Sequence, residues 1–240
     1  MDNGIYITVS RQAALFRDLE VTANNIANAS TSGYNAQKLN FSAYLEKNGN
    51  RKDAYANDPT AYRDTTNGPI QLTNNPFDLA ISGPGYFQVE TPLGMRFTKS
   101  GNFQLDGNGT LVTVMGYPVL GADGGQITIP ESAKNVDINS AGQVLADGSE
   151  VGQVGIMEFT NEQAMKRLGN SLFSSEETPQ PALTARVMQG AIEGSNVNAV
   201  TEMVRVTALS RSVGSTAKFI DAIYDLQSKT AKTYVSNSQS

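Results

Sequence analysis

The stretch that decides the fold lies near the end of the chain, where residues 198–235 read NAVTEMVRVTALSRSVGSTAKFIDAIYDLQSKTAKTYV. It contains no Pro and no Gly except Gly214, and its apolar residues recur at helical spacing. Asn198 can cap the start, and Glu202 lies in the first turn, where the helix dipole favours an acid. The sequence therefore predicts a long helix with a narrow, coiled-coil-like apolar stripe, formed by Val206, Leu209, Val213, Ile220, Ile223 and Tyr224.

The first 30 residues show a second helical pattern. Apolar residues recur three or four positions apart, which predicts one amphipathic helix, and they are Ile5, Val9, Phe16, Leu19, Ala23 and Ile26. The polar run Asn28-Ala-Ser-Thr-Ser-Gly33 ends it, and Gly33 suits a left-handed backbone stop. Residues 1–5 carry no basic or apolar leader, so we expect export, if it occurs, without a cleaved signal peptide.

The pattern changes between the two helices. Residues 35–74 are polar and irregular, which predicts an extended connector. Residues 75–187 alternate short apolar runs with turn signals such as Asp106-Gly-Asn-Gly109 and Asp123-Gly-Gly125, which predicts a compact antiparallel β-domain. The run Thr160-Asn-Glu-Gln163 has capping-box form and predicts one short helix near residues 161–168.

These patterns predict an α+β fold, a central antiparallel β-domain flanked by long N- and C-terminal amphipathic helices that pack coaxially. The predicted segments are an N-terminal helix at 1–34, a connector at 35–74, a β-rich outer domain at 75–187 and a C-terminal helix at 188–240. The apolar stripes are too narrow for the β-domain alone to bury. Each helix therefore needs a partner, either the other terminus or another subunit, and the narrow stripes at both ends favour packing between subunits.

Composition excludes several kinds of chemistry. The chain has 240 residues, no Cys and no His, so the usual zinc sites, disulfides and His-dependent nucleophile pairs are excluded. A net charge of −5 argues against a nucleic-acid binder. No run approaches the roughly 18 apolar residues of a membrane-spanning helix.

The segments that resemble catalytic or ligand-binding motifs are better explained as ordinary helix and turn residues. Ser215-Thr-Ala-Lys218 matches a Ser-x-x-Lys pattern but lacks its companion motifs, and a solvated helix face explains it. Gly83-Pro-Gly85 is predicted to be a turn between strands. The loop from Asp106 to Thr110 imitates the start of a calcium loop, but fails at the glycine and bidentate acid positions. No catalytic, cofactor-binding or metal-binding residue is predicted.

Four segments resemble the flagellar basal-body rod and hook family. They are Ala23-Asn-Asn-Ile-Ala-Asn28 continuing to Gly33-Tyr34, Thr73-Asn-Asn-Pro-Phe-Asp78 continuing to Phe87, Phe97-Thr-Lys-Ser-Gly101-Asn-Phe103 continuing to Gly116, and Gln189-Gly-Ala-Ile-Glu193-Gly-Ser-Asn-Val-Asn198. They span both ends and the middle of the chain in the family's order. The opening residues and the length are most similar to proximal rod members, with distal rod members as the near alternative.

The resemblance implies a structural subunit that is exported unfolded by the flagellar type III apparatus and self-assembles into the rod that crosses the periplasm. It implies no catalysis and no cofactor, and its partners are other rod subunits, further copies of the chain and the export apparatus. No nucleic acid or small-molecule substrate is expected. The alternative from another class is a β-rich carbohydrate-binding or carbohydrate-active envelope domain, which would need two acids converging in a cleft.

The residues predicted to carry assembly share two locations, the terminal helices and the motifs beside them. In the N-terminal part they are Val9, Phe16, Leu19, Asn24, Asn25, Ile26, Asn28 and Gly33. In the C-terminal part they are Asn196, Val197, Val206, Leu209, Val213, Ile220, Ile223 and Tyr224.

Overall fold

The structure of the protein is a computed structural model, and it describes residues 2–40, 43–48, 51–56 and 60–237. The chain forms two compact units. The first unit comprises Met1–Ala27, Gln37–Arg63 and Asn198–Ser240, and the second comprises Asn28–Ala36 and Asp64–Val197.

The first unit contains both α-helices of the described chain. They are α1 (Asp2–Ala27) and α2 (Ala199–Asn237), and four strands accompany them: β1 (Gln37–Asn40), β2 (Ala43–Asn48), β3 (Arg51–Ala56) and β4 (Thr60–Arg63). The strands form two antiparallel pairs, β1 with β4 and β2 with β3. The helices pack along each other, and α1 also packs against β1 and β3.

The helix predictions at both termini are confirmed. The Asn198 side chain caps α2 through Oδ1, which accepts a 3.1 Å hydrogen bond from the Thr201 N–H, and Glu202 lies in the first turn. Gly33 has a φ of +65°, as the left-handed stop requires. Neither helix, over the described residues, combines the length and apolarity that crossing a membrane would demand.

The second unit consists of short antiparallel strands. They are β5 (Ile70–Leu72), β6 (Leu79–Ser82), β7 (Tyr86–Thr91), β8 (Gly94–Thr98), β9 (Phe103–Leu105), β10 (Leu111–Thr113), β11 (Val136–Ile138), β12 (Gln143–Ala146), β13 (Ser149–Gln153), β14 (Ile156–Glu158), β15 (Lys166–Arg167), β16 (Leu172–Ser174), β17 (Gln180–Pro181), β18 (Arg186–Gln189) and β19 (Ala191–Glu193). The largest sheet has the order β15-β16-β8-β7-β14-β17, and β11-β12-β13 form a second sheet. The pairs β9–β10, β6–β18 and β5–β19 complete the unit.

The core of the second unit lies on both sides of β7. Because neighbouring strand residues point to opposite faces, Phe87 packs in the main cluster with Leu79 and Leu111. Tyr86 packs on the other side in an aromatic cluster with Phe97, Phe159, Met165 and Phe173. Both Tyr86 and Phe87 are fully buried. Strand β7, which follows the predicted Gly83–Gly85 turn, is therefore the centre of the unit.

The predicted fold class is wrong. The described chain is mostly β-structure, with nineteen strands in seven sheets and two α-helices, and coaxial helix packing is not shown among the described residues. Strands β1–β4 lie in the same unit as the helices, so β-structure is not confined to a central domain. The reason is that extended backbone must satisfy its N–H and C=O groups whatever its side chains are, so five paired strands, β1–β5, form within the polar stretch 35–74. The division of the chain into four segments with separate roles in assembly remains a prediction.

The helix predicted near residues 161–168 is also wrong in extent. Only a single 3₁₀ turn forms, Glu162–Ala164, and Asn161 makes no side-chain cap. Met165 then adopts an extended conformation with ψ of 128°, and its side chain is buried in the aromatic cluster. Burial of Met165 directs the chain into β15 instead of continuing the helix.

Candidate functional site

The seam between α1 and α2 in the first unit is unexpectedly polar. Thr22 of α1 is fully buried, and its hydroxyl donates to the Asp18 carbonyl oxygen over 2.7 Å. The Asp18 carboxylate accepts a 2.8 Å hydrogen bond from Arg205 of α2. A charged pair that must meet across two helices fixes their register, because any shift would leave a nearly buried charge alone.

Asn25 attaches the end of α1 to strand β1. Its side-chain amide donates to the Gln37 carbonyl oxygen over 2.8 Å and accepts from the Gln37 N–H over 2.9 Å. The side chain, 2% exposed, therefore completes a backbone-like amide pair. This is a specific role for an Asn in the Asn-rich helix end, since shorter or charged side chains cannot supply both groups.

The predicted stripe residues divide between two sides of the helices. On α2, Leu209 is buried, and Val206, Val213, Ile220 and Ile223 are half-buried. On α1, Leu19 and Ile26 are half-buried, whereas Val9 and Phe16 remain about half-exposed. Tyr224 is also exposed. On each helix, some of the predicted stripe residues are therefore at least half-buried, and others lie on the surface.

Both helices carry large apolar side chains on their outward faces. We call these side chains the outward apolar faces. They are Tyr6, Val9 and Phe16 on α1, and Val200, Met203, Val204, Phe219, Tyr224 and Leu226 on α2, each between 49% and 72% exposed. Large apolar side chains exposed in such numbers on two helices indicate surfaces that interact with a partner.

The second unit has its own junction, where three segments of the chain are held together by Asn196. Its Oδ1 accepts a 2.7 Å hydrogen bond from the Ala36 N–H. Its Nδ2 donates to the carbonyl oxygens of Asp64 and Thr66, at 2.9 and 2.8 Å. One side chain therefore ties residues 36, 64–66 and 196, where the chain enters and leaves the unit.

Glu193 strengthens the same junction. Its carbonyl oxygen accepts from the Gly33 N–H at 2.8 Å and the Ser32 hydroxyl at 3.0 Å. Its carboxylate accepts from the Gly68 N–H at 2.9 Å and lies 3.9 Å from the Lys99 ammonium group. Burial raises the pKa of the Glu193 carboxyl, and the Lys99 charge opposes that rise.

Close approach explains the glycines at this junction. A Cβ on Gly33 would collide with the backbone of Lys99 and Ser100, and a Cβ on Gly68 would collide with the carbonyl group of Gly194. The junction is therefore packed backbone against backbone. Glycine is the only residue that permits such contact.

The remaining predicted site residues lie beside these two places. The Asn28 side chain accepts a 3.3 Å hydrogen bond from the Thr31 hydroxyl within the motif. Val197 is half-buried, and its N–H donates to the Ser195 hydroxyl over 3.2 Å. Asn24 is exposed on α1.

Sequence reasoning missed Asp18, Arg205, Lys99 and Arg167. The spacing of Asp18 to Thr22 and Asn25 places all three on one side of α1, and this pattern could have identified Asp18. The Arg167 guanidinium donates to the Asn35 carbonyl oxygen over 2.8 Å and lies 4.3 Å from the ring centroid of Tyr34. No local signal identifies such a contact, because its partners are more than 130 residues apart.

The acids of the second unit have structural explanations. Asp106 Oδ1 accepts hydrogen bonds from the Thr110 and Asn108 N–H groups, at 2.8 and 2.9 Å, and these bonds lower its pKa. Asp123 Oδ1 accepts from the Gly125 N–H over 3.0 Å in the same manner. Within the described ranges, no three Asp or Glu residues form a group that could hold a metal ion.

Three family profiles match separate parts of the chain. The profile described as "Flagella basal body rod protein" matches residues 5–35. The profile of the "Flagellar hook protein FlgE/F/G D1 domain" matches residues 80–146. The profile described as "Flagellar basal body rod FlgEFG protein C-terminal" matches residues 188–239. The matches include the helix seam, the junction and part of the β-structure.

Whole-length relatives agree with these profiles. The chain is 35% identical over 233 residues to the flagellar basal-body rod protein FlgF of Caulobacter vibrioides, covering 94% of this chain and 95% of the relative. It is 32% identical over 241 residues to FlgF of Mesorhizobium japonicum, covering 99% and 100%. It is 31% identical over 249 residues to the rod protein FlgG of Bacillus subtilis, covering 92% and 94%.

Proposed function

The chain belongs to the flagellar basal-body rod protein family, and we propose that it occupies the proximal part of the rod. It is a structural subunit of the basal-body rod and assembles with other rod subunits. The proximal position rests on its similarity to FlgF relatives along nearly their whole length. The similarity to FlgG supports a distal position as the second candidate.

We further propose that assembly uses the outward apolar faces of α1 and α2. Phe16 and Tyr224 are 50% and 56% exposed, and Val204 is 67% exposed. Complete burial of a large apolar side chain contributes about 1.5–3 kcal/mol, so covering the exposed half of each contributes roughly 1 kcal/mol. If neighbouring subunits cover all nine side chains, their burial contributes roughly 10 kcal/mol, divided among the separate contacts and before the entropy lost on association.

The finer cellular assignments are also proposals. The subunit is exported by the flagellar type III apparatus, reaches the periplasmic part of the basal body, and has neither a catalytic role nor a cofactor. These assignments rest on membership of a family whose relatives here are structural rod proteins. Labelling of the free α-amino group before digestion, followed by mass spectrometry of the protein from purified basal bodies, should identify an N-terminus at Met1 or Asp2. A labelled N-terminus after residue 15 would contradict export without cleavage.

Fractionation of basal bodies tests the structural role and its surface together. The unaltered chain should co-purify with rods, and cells that lack it should not assemble a rod or swim. Phe16→Asp should be exported and folded but missing from basal bodies, because the acid would have to lose its hydration in the interface. Leu183→Asp is the matched control, since Leu183 is an exposed apolar residue of the second unit.

The results also separate the two rod positions. The chain should restore rods in cells without FlgF but not in cells without FlgG, and the reverse pattern would assign it to the distal rod. Absence of the unaltered chain from purified basal bodies would refute the structural role. Normal incorporation of Phe16→Asp would show that the face around this residue does not carry assembly.

A further inference from the structure

A cavity of about 300 Å³ lies between α1 and α2 in the first unit. Its walls are formed by Ile7, Thr8 and Arg11 of α1 and by Ser215, Thr216 and Phe219 of α2. Ser215 and Thr216 direct their hydroxyls back to the Ser212 carbonyl oxygen, at 2.9 and 2.8 Å. Gly214 adds no side chain beside them, so these small residues leave the space unfilled.

The cavity has the size and surface for an aromatic side chain. The space is a half-open groove with a mixed polar and apolar lining, and its volume exceeds the roughly 150 Å³ that holds benzene in an enclosed apolar cavity. The Phe219 ring forms part of the wall and is 57% exposed, so its surface is available for an edge-to-face aromatic contact. A benzyl group would therefore fit with room for its approach.

Charge identifies which aromatic side chain fits. Arg11 is exposed at the edge of the cavity and makes no hydrogen bond or ion pair within the described part of the chain. On the outward face of α1, Phe16 is followed four residues later by the exposed acid Glu20. Residues four apart share a helix face. An aromatic ring with an acid beside it thus complements a cavity with a base beside it.

The two features cannot meet within one molecule. Arg11 and Phe16 are five residues apart on the same helix, which places them about 140° apart around its axis. A contact between them must join two copies and uses a different surface on each. Because every copy carries both surfaces, the contact either repeats from copy to copy along an open array or closes into a dimer through two reciprocal contacts. Growth of a rod requires the repeating arrangement.

We propose that this cavity receives Phe16 of a second copy of the chain, while Glu20 of that copy pairs with Arg11. The inference rests on the proposed function, because it identifies the partner of the outward apolar face of α1. It assigns each copy one donor side chain and one acceptor cavity. In a rod, this contact would orient every copy in the same direction along the array.

Cysteine cross-linking tests the contact directly, because the natural chain has no Cys. The variant Ala13→Cys with Ser215→Cys keeps Phe16 and adds one thiol beside the donor and one beside the cavity. Oxidation of purified basal bodies should then give a ladder of two, three and more linked copies. The matched control, Ala13→Cys with Ser228→Cys, places the second thiol on an exposed position 13 residues further along α2 and should give no ladder.

A charge exchange provides the second measurement. Arg11→Glu and Glu20→Arg in the Ala13→Cys, Ser215→Cys background should each lower ladder formation at least tenfold. Combining the two changes should restore at least half of it. Failure of the combination to restore the ladder, or cross-links to a protein of different mass, would overturn the proposal.

The unaltered chain distinguishes this inference from the proposed function. If that chain is absent from basal bodies, the structural role fails together with the contact. If it is present but the cysteine pair beside the cavity gives no more product than the control pair, the contact alone is wrong.

Discussion

Asn196→Ala should weaken the second unit through a single side chain. Asn196 makes three hydrogen bonds to backbone groups of Ala36, Asp64 and Thr66. Each group belongs to a segment that enters or leaves the unit, and Ala36 is only 8% exposed. The methyl group of alanine reaches none of them, so the Ala36 N–H would lose its acceptor in a buried place.

The magnitude follows from these contacts. Each hydrogen bond contributes about 0.5–1.5 kcal/mol net, and an unsatisfied buried donor costs about 1–3 kcal/mol. The two carbonyl groups have some access to water, so we expect a loss of about 2–4 kcal/mol in the free energy of unfolding. In a chain of this size, about 1 kcal/mol corresponds to roughly 2–4 °C in melting temperature.

Thermal unfolding and hydrogen exchange measure the effect. The melting temperature of the full chain should fall by about 5–10 °C. The Ala36 amide should also exchange faster than in the unaltered protein. Asn196→Asp should lose at least as much at pH 7, because its carboxylate keeps the Ala36 acceptor but faces two carbonyl oxygens.

Asn135→Ala is the control, since Asn135 is exposed and its side chain makes no described hydrogen bond. Its effect should stay within about 0.5 kcal/mol. The reasoning is refuted if the melting temperature of Asn196→Ala lies within 1 °C of that of the unaltered chain. Such a difference corresponds to a loss of less than about 0.5 kcal/mol in the free energy of unfolding. It is also refuted if Asn196→Asp is as stable as the unaltered chain.

Two further predictions use the same unfolding measurements. Gly101→Ala should lower the free energy of unfolding by more than about 3 kcal/mol, because the added Cβ would collide with the Leu79 carbonyl oxygen. Gly116→Ala should lower it by only about 1 kcal/mol, since φ at Gly116 is +81° but the space around it is open. Equal losses for the two variants would contradict this. Glu193→Gln should remove a pH dependence whose sign follows from the raised folded-state pKa. Between an unfolded pKa of about 4.3 and that higher value, the folded chain binds the extra proton, so stability of the unaltered protein falls as pH rises through this window. Urea unfolding from pH 4 to 8 should therefore show the variant gaining relative to the unaltered chain as pH rises, and a constant difference would exclude the effect.

Local sequence patterns predicted the features that depend on neighbouring residues. The helix at each end followed from apolar spacing, and Asn198 was identified as a cap because capping needs only the next three residues. The turn at Asp106 was predicted for the same reason, since its bonds to Asn108 and Thr110 span four residues.

Predictions from local sequence patterns were wrong or incomplete where contacts with distant residues decide the structure. The capping-box run at Thr160 did not form a helix, because Met165 is drawn into the aromatic cluster. The Thr160 and Asn161 N–H groups instead donate to the Glu177 carboxylate. The bond from the Asn161 N–H is the chief cause that lowers the pKa of Glu177. Gly101 is needed for close packing against the Leu79 backbone, and no local pattern indicates that contact.

The sequence alone therefore determined the two terminal helices, the turn-rich strands between them and the resemblance to a rod family. All of these depend on residues that are close in the chain. Only the tertiary structure decided that the connector contains the paired strands β1–β5, that Val9 and Phe16 are exposed, and that Asn196 joins three segments. Those outcomes depend on which distant backbone groups must satisfy one another, and a side chain's spacing cannot show which partner it meets.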